Sequence, residues 1–213
     1  MPVEAVIWDF GGVLTASPFE AFNRYEAERG LPRDFIRGVN AVNPHDNAWA
    51  QFERNDIDAA EFDRLFRTES RALGFEVSGT EVLDNVSGAL RPGMVAALRT
   101  CKARFKVGCI TNMFLRDGAS HQMAADLAEV FALFDALIES AKAGVRKPNP
   151  RIYQMMCELL DVEPANCIYL DDLGVNCKPA AQLGMAAIKV VSEAQALADL
   201  GRATGLVFHA APS

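Results

Sequence analysis

Four stretches of the 213-residue chain carry side chains able to do polar chemistry: Asp9 in VIWDFGGVL, Thr111 and Asn112 in KVGCITN, Lys147 in GVRKPNP, and the adjacent acids Asp171 and Asp172 in NCIYLDD. Together they supply three carboxylates, one ammonium and a hydroxyl. The acids and the threonine each close a run of apolar residues, where a buried strand would end. In an open parallel sheet, ligands bind beyond the carboxyl ends of the strands, so these distant residues should converge in one crevice. Carboxylates packed that closely raise one another's pKa and destabilise the site unless they share a cation. A hard, oxygen-ligated ion such as Mg²⁺ meets that need.

Each residue alone has a plainer use. Asp9 could cap a turn, Thr111 could be a satisfied strand-end hydroxyl, and Lys147 an exposed loop lysine. Gly11 and Gly12 permit a tight turn. Arg146 reads as an ordinary loop residue. The pair Asp171 and Asp172 is harder to explain structurally, because it would have to tolerate its own repulsion.

The positioning elements follow from hydrophobic periodicity. Apolar segments at 3–9, 105–111, 136–140, 166–171 and 185–191 are each expected to be fully buried strands. Helical patterns separate the last four, at 122–134, 150–160 and 177–183. Strands alternating with helices imply an α/β fold with a doubly wound, Rossmann-like parallel sheet. From about residue 18 to 90 the pattern is helical with no convincing strand: Phe22 with Tyr25, Trp49 with Phe52, and Phe62 with Leu65 and Phe66 fall at helical spacings. This is an α-helical insertion after the first strand, and Arg91-Pro92-Gly93 marks the return. The expected division is a core of residues 1–15 and 91–213 with a cap of 16–90.

Composition narrows the function. A formal net charge of −7 leaves no basic face for nucleic acid. The N-terminal apolar run is too short for a signal or a membrane span. Five cysteines at no metal-ligand spacing, mostly inside apolar runs, read as buried thiols of a cytoplasmic protein. The tail HAAPS reads as loose, and His121 and His209 are assigned no role.

WDFGGVL, ITN, GVRKPNPRIY and YLDDLGVNCKPAAQLGM, in that order and with a helical insertion in the first gap, resemble the haloacid dehalogenase superfamily. Within it the match is to the branch that includes the phosphatase domain of soluble epoxide hydrolases. The resemblance covers nearly the whole chain. It implies that Asp9 is a nucleophile forming an aspartyl-phosphate, that Thr111 and the backbone around Asn112 hold phosphoryl oxygens, and that Lys147 neutralises charge on both. It further implies that Asp172 binds Mg²⁺ directly with Asp9 and the Gly11 carbonyl, while Asp171 and Asn176 orient water and metal; Asn176 could instead only cap a helix. The expected partner is a small phosphorylated metabolite, and caps of this superfamily sometimes join homodimer contacts.

One position departs from the pattern. The commonest phosphatase version carries a second aspartate two residues after the nucleophile, which protonates the leaving group; here that residue is Gly11. General acid–base assistance is worth roughly 10²–10⁴ in rate, so a weak or selective phosphatase is expected. The missing acid also admits dehalogenation, since halide leaves without a proton, although that chemistry has no use for Asp171 and Asp172. A third alternative is a domain that binds a phosphorylated ligand or a protein without turnover. In the insertion, His45, Asp46, Asn47 and Trp49 read first as a surface loop followed by a core tryptophan; His45 is the one candidate there to replace the missing acid.

Overall fold

The computed structural model describes residues 2–86, 88–112 and 121–208. The expectations for the tail HAAPS, His209 and the His121 side chain fall outside what it describes. The five apolar segments form β1 (Ala5–Trp8), β2 (Lys106–Thr111), β3 (Ala136–Glu139), β4 (Cys167–Asp171) and β5 (Ala186–Lys189). They pair in parallel in the order β3-β2-β1-β4-β5. The central strand is β1, with Trp8 in register with Cys109 on one side and Leu170 on the other. That register sets Asp9 level with the ends of β2 and β4, where Thr111 and Asp171 lie.

Helices cover both faces, which is why β1 and β4 are buried at every position rather than alternating. Val6 and Trp8 face α6 (Pro92–Lys102), α7 (His121–Phe131) and α11 (Glu193–Thr204). Ala5 and Ile7 face α9 (Pro150–Leu160), which follows the one-turn α8 (Ser140–Ala143), and α10 (Gly174–Gln182). Full burial fails for β3 and β5: Leu137, Ala186 and Lys189 are exposed. Each is an edge strand with one neighbour, so one flank stays open to solvent. Helix α10 starts at Gly174, ahead of the expected Cys177, because Val175 points outward and gives the first turn no apolar period.

Between β1 and α6 the chain forms five helices: α1 (Pro18–Glu28), α2 (Phe35–Ala41), α3 (Ala48–Glu53), α4 (Ala59–Ala72) and α5 (Gly79–Asp84). They enclose their own apolar cluster around Phe22, Ile36, Phe62, Phe66 and Val82. Each buried phenylalanine contributes about 1.5–3 kcal/mol. Asn47, Asp58 and Ser78 cap α3, α4 and α5 by accepting from Ala50, Glu61 and Glu81 amides. The two crossings into the insertion are tied by an antiparallel bridge between Thr15 and Leu90, flanked by Ala16 N donating to Ala89 O and Arg91 N to Leu14 O, each at 2.8 Å. Gly88 is required there, since a Cβ would lie 2.4 Å from the Ala16 carbonyl oxygen. Among the described residues no helix is long and apolar enough to cross a membrane.

One carboxylate joins α4 to α5. Asp63 accepts from Arg67 Nε at 2.8 Å, from the Thr80 amide at 2.9 Å and from the Ser78 hydroxyl at 3.1 Å. The Arg67 hydrogen bond, with help from Thr80, holds its carboxyl down at about 2. Because the folded value lies below the unfolded one, this stabilisation is complete above about pH 4 and is lost as pH falls through about 2. Asp63→Asn should therefore cost about 1–2 kcal/mol at neutral pH. Urea midpoints measured against pH should show the gap between variant and wild type closing as pH drops from about 4 toward 2.

Candidate active site

The ends of β1, β2 and β4 and the loop before α9 meet at a single buried ammonium. Lys147, only 2 % exposed, places Nζ 2.7 Å from Asp9 Oδ1 and 2.8 Å from Asp171 Oδ2. The Phe10 amide also donates to Asp9 Oδ1 at 2.7 Å. Asp9, Asp171 and Asp172 each turn an oxygen into one small volume, all within 4.8 Å of one another.

Asp171, the last residue of β4, and Asp172, the next in the chain, have opposite surroundings. Asp171 is fully buried and saturated: besides Lys147 it accepts from Tyr169 Oη at 2.5 Å, the Leu173 amide at 2.8 Å and Asn176 Nδ2 at 3.1 Å to both oxygens. Asn176 thus lies inside the first turn of α10 and does not cap it; Leu173 occupies the cap position. Among the described residues, Asp172 is supplied only by its own amide and by a long bond, 3.4 Å, from the Ser17 hydroxyl of the insertion. Gly12 packs against it, at φ +76°, and a Cβ there would lie 2.2 Å from Asp172 Oδ2.

The electrostatics follow from three carboxylates around one cation. Burial pushes the Asp9 carboxyl well up; Lys147 pulls it back, and Asp171 and Asp172 push it further. Burial, then the Asp171 charge, raises Asp172 to about 6. Burial alone would lower the Lys147 ammonium, yet the charges of Asp171 and Asp9 outweigh it and leave it raised, firmly protonated.

These groups form one wall of a cavity of about 430 Å³. Gly11, Thr111 and Asn112 border it on the sheet side, and the insertion supplies the opposite wall with Phe19, Phe22, Trp49, Arg37, Asn40 and Glu53. His45 sits in an exposed turn at the rim, its carbonyl accepting from Arg54. Trp49 is only partly buried: it packs on Phe22 and Phe62 and borders the cavity.

The reading of Arg146 as an ordinary loop residue is overturned. Its side chain is 18 % exposed, with Nη2 2.5 Å from Glu53 Oε2 and Nη1 2.9 Å from the Pro44 carbonyl. Sequence could not reveal this, because both partners lie far away in the chain and are ordinary in their local context. Tyr169 was within reach: period two along β4 puts it on the same face as Asp171. Glu53 carried no local signal.

The contrast between Asp171 and Asp172 has a consequence for stability. Asp171→Asn leaves a buried ammonium with one carboxylate fewer and should cost about 3–5 kcal/mol. Asp172→Asn removes a repelled charge and should change stability by less than about 1 kcal/mol. Urea unfolding of both variants in EDTA decides; equal losses would refute the distinction.

The comparisons with known proteins agree with this architecture. Residues 3–184 match the family model described as haloacid dehalogenase-like hydrolase. Bifunctional epoxide hydrolase 2 of Mus musculus is 32 % identical over 225 aligned residues, covering all of this chain and 41 % of that protein, so the chain spans about two-fifths of that relative. A phosphatase of Mycobacterium tuberculosis is 32 % identical over 89 % of this chain and 88 % of its own. Among solved structures, an enzyme of the same family from Bacteroides thetaiotaomicron, in complex with magnesium and inorganic phosphate, superposes with a TM-score of 0.58 over 88 % of this chain and 93 % of its own, at 19 % identity. With most of its length under the family model and a lysine-bridged aspartate at the end of its central strand, this chain belongs to the haloacid dehalogenase-like hydrolases.

Proposed function

We propose that the protein is a Mg²⁺-dependent phosphatase acting on a small phosphomonoester with an apolar body. The observation that carries this is the Lys147 ammonium held between Asp9 and Asp171 at the base of the cavity, with Asp172 beside them. Phosphoryl transfer is catalysed mainly by positioning and charge stabilisation, which such a cluster provides.

The donor set fits a divalent cation. Three carboxylates and one ammonium leave a buried excess of negative charge, and the raised Asp9 and Asp172 carboxyls express it. Asp171 has its oxygens committed to four protein donors, whereas among the described residues Asp172 has its own amide and one long contact from Ser17. Asp172, Asp9 and the Gly11 carbonyl would therefore hold the metal, with Asp171 and Asn176 in support. Bound there, Mg²⁺ supplies positive charge beside the phosphoryl oxygens.

In this reading a carboxylate oxygen of Asp9 attacks phosphorus, the ester P–O bond breaks, and the leaving group departs as an alkoxide or phenoxide. Thr111 and the backbone around Asn112 hold the phosphoryl oxygens, and Lys147 offsets charge on nucleophile and phosphate. Water then attacks phosphorus, the acyl-phosphate bond breaks, and Asp9 is restored. Phe19, Phe22, Trp49 and Val86 across the cavity favour an apolar or aromatic leaving group.

Phosphate release from p-nitrophenyl phosphate should require Mg²⁺, vanish in EDTA, and fall at least about 10³-fold in Asp9→Asn. Halide release from a 2-haloacid that survives EDTA would instead establish the dehalogenase alternative. At Gly11 an added Cβ meets nothing within 4 Å. Gly11→Asp should therefore fold normally and raise turnover of alkyl phosphates by about tenfold or more, with little gain on aryl phosphates.

A further inference from the structure

Glu53 is an acid at the end of α3, far in sequence from every site motif, yet it is buried against the sheet domain. Its Oε2 lies 2.5 Å from Arg146 Nη2 and 3.3 Å from Asn112 Nδ2. Its Oε1 accepts from Trp49 Nε1 at 2.9 Å, and its main-chain carbonyl accepts from the buried Ser140 hydroxyl at 2.5 Å. Asn112 in turn brackets the backbone of Lys147: the Lys147 amide donates to Oδ1 at 3.0 Å, and Nδ2 donates to the Lys147 carbonyl at 3.1 Å. One carboxylate therefore grips two consecutive residues, Arg146 directly and Lys147 through Asn112.

We propose that Glu53 is a positioning residue that fixes the Arg146–Lys147 segment, and through it the Lys147 ammonium, against Asp9. The inference rests on the phosphatase reading above and assigns Glu53 no proton transfer and no contact with the phosphoryl group. Its force comes from burial. In water an Arg–Glu pair contributes little, but a desolvated carboxylate that loses its donors, or donors that lose their carboxylate, cannot fall back on solvent. Arg146 already has its buried Nε without a partner among the described residues, so Glu53 is its principal anchor in the site. Displacing Lys147 by a fraction of an ångström would misplace charge at the reacting phosphorus, an error that costs up to about 10²-fold in rate for 1 Å.

Turnover of p-nitrophenyl phosphate and of glycerol 2-phosphate by wild type, Glu53→Gln, Glu53→Ala, Asn112→Ala and the Glu53→Ala/Asn112→Ala double variant tests this, with rates referred to folded protein by circular dichroism. Gln keeps one acceptor for Asn112 or Trp49, so kcat should fall by about threefold to tenfold, and by about 10–10²-fold for Ala. The loss should be the same for the aryl and the alkyl ester. In the Asn112→Ala background, Glu53→Ala should cost less than about a third of what it costs alone, because both act through Lys147. A purely structural Glu53 would lower the melting temperature while leaving kcat per folded molecule unchanged, and that would overturn the proposal. So would a loss confined to the alkyl ester, which would make Glu53 a proton donor, or full additivity with Asn112→Ala. A wild-type protein that neither turns over these esters nor binds inorganic phosphate with Mg²⁺ by calorimetry would overturn the phosphatase reading itself, and this proposal with it. Wild-type turnover unchanged in both Glu53 variants would overturn this proposal alone.

Discussion

A lysine ammonium taken out of water must be given carboxylates, and the placement of Lys147 between Asp9 and Asp171 is the constraint around which the sheet end is organised. Neither acid tolerates burial without it, and it tolerates burial only with both. The geometry therefore demands that β1 and β4 be neighbours, that they end at the same level, and that the loop before α9 descend onto their ends. The strand order satisfies the first demand, and the register of Trp8 with Leu170 satisfies the second. Tyr169, Asn176 and the Leu173 amide then use the remaining capacity of Asp171, so the pair is fixed from below by the strand and from the side by the first turn of α10.

Saturating Asp171 leaves Asp172 with few donors, and in the proposed metal site that imbalance makes Asp172 the acid available to a cation. Asp172 lies just past the end of β4, and although both acids turn an oxygen toward Asp9, the Tyr169, Leu173 and Asn176 donors all go to Asp171. Asp172 faces the Gly12 turn and Ser17, where the backbone approaches too closely for any side chain. Stability is given up at Asp172 while it is gained at Asp171, the pattern expected where a protein keeps charge uncompensated for a bound cation.

Much of this was legible in the sequence because it depends on short-range regularities. Five apolar runs ending in polar residues announced the strands, and the loss of any period-two pattern between Pro18 and Leu90 announced the helical insertion. All five cysteines are buried free thiols, as their apolar settings implied. What stayed hidden depends on which distant residues meet. The exposure of β3 and β5 follows from their edge positions, which periodicity does not encode. Arg146 and Glu53 look like solvated charges in their own segments, and only the seating of α3 on the sheet domain makes them a buried pair. The saturation of Asp171 likewise needed Asn176 and Leu173 to fold back on it.

In the proposed phosphatase, the glycine at position 11 leaves the sheet side without a proton donor two residues after Asp9. Nothing steric excludes a larger residue there, since the space around its Cβ position is open. The backbone of the Asp9 turn thus leaves room for a Cβ at this position. Without a proton donor fixed beside the nucleophile, barrier height depends strongly on how weak a base the leaving group is. In the proposed phosphatase, discrimination would come from two sources acting in series: the intrinsic leaving ability of the ester, and its fit against Phe19, Phe22 and Trp49 on the wall that the insertion supplies. The same helix α3 that presents Trp49 to the cavity also carries Glu53 into the Lys147 network. In the two proposals above, substrate fit and ammonium placement are both built on one six-residue helix, so that a change in how it seats would alter both together.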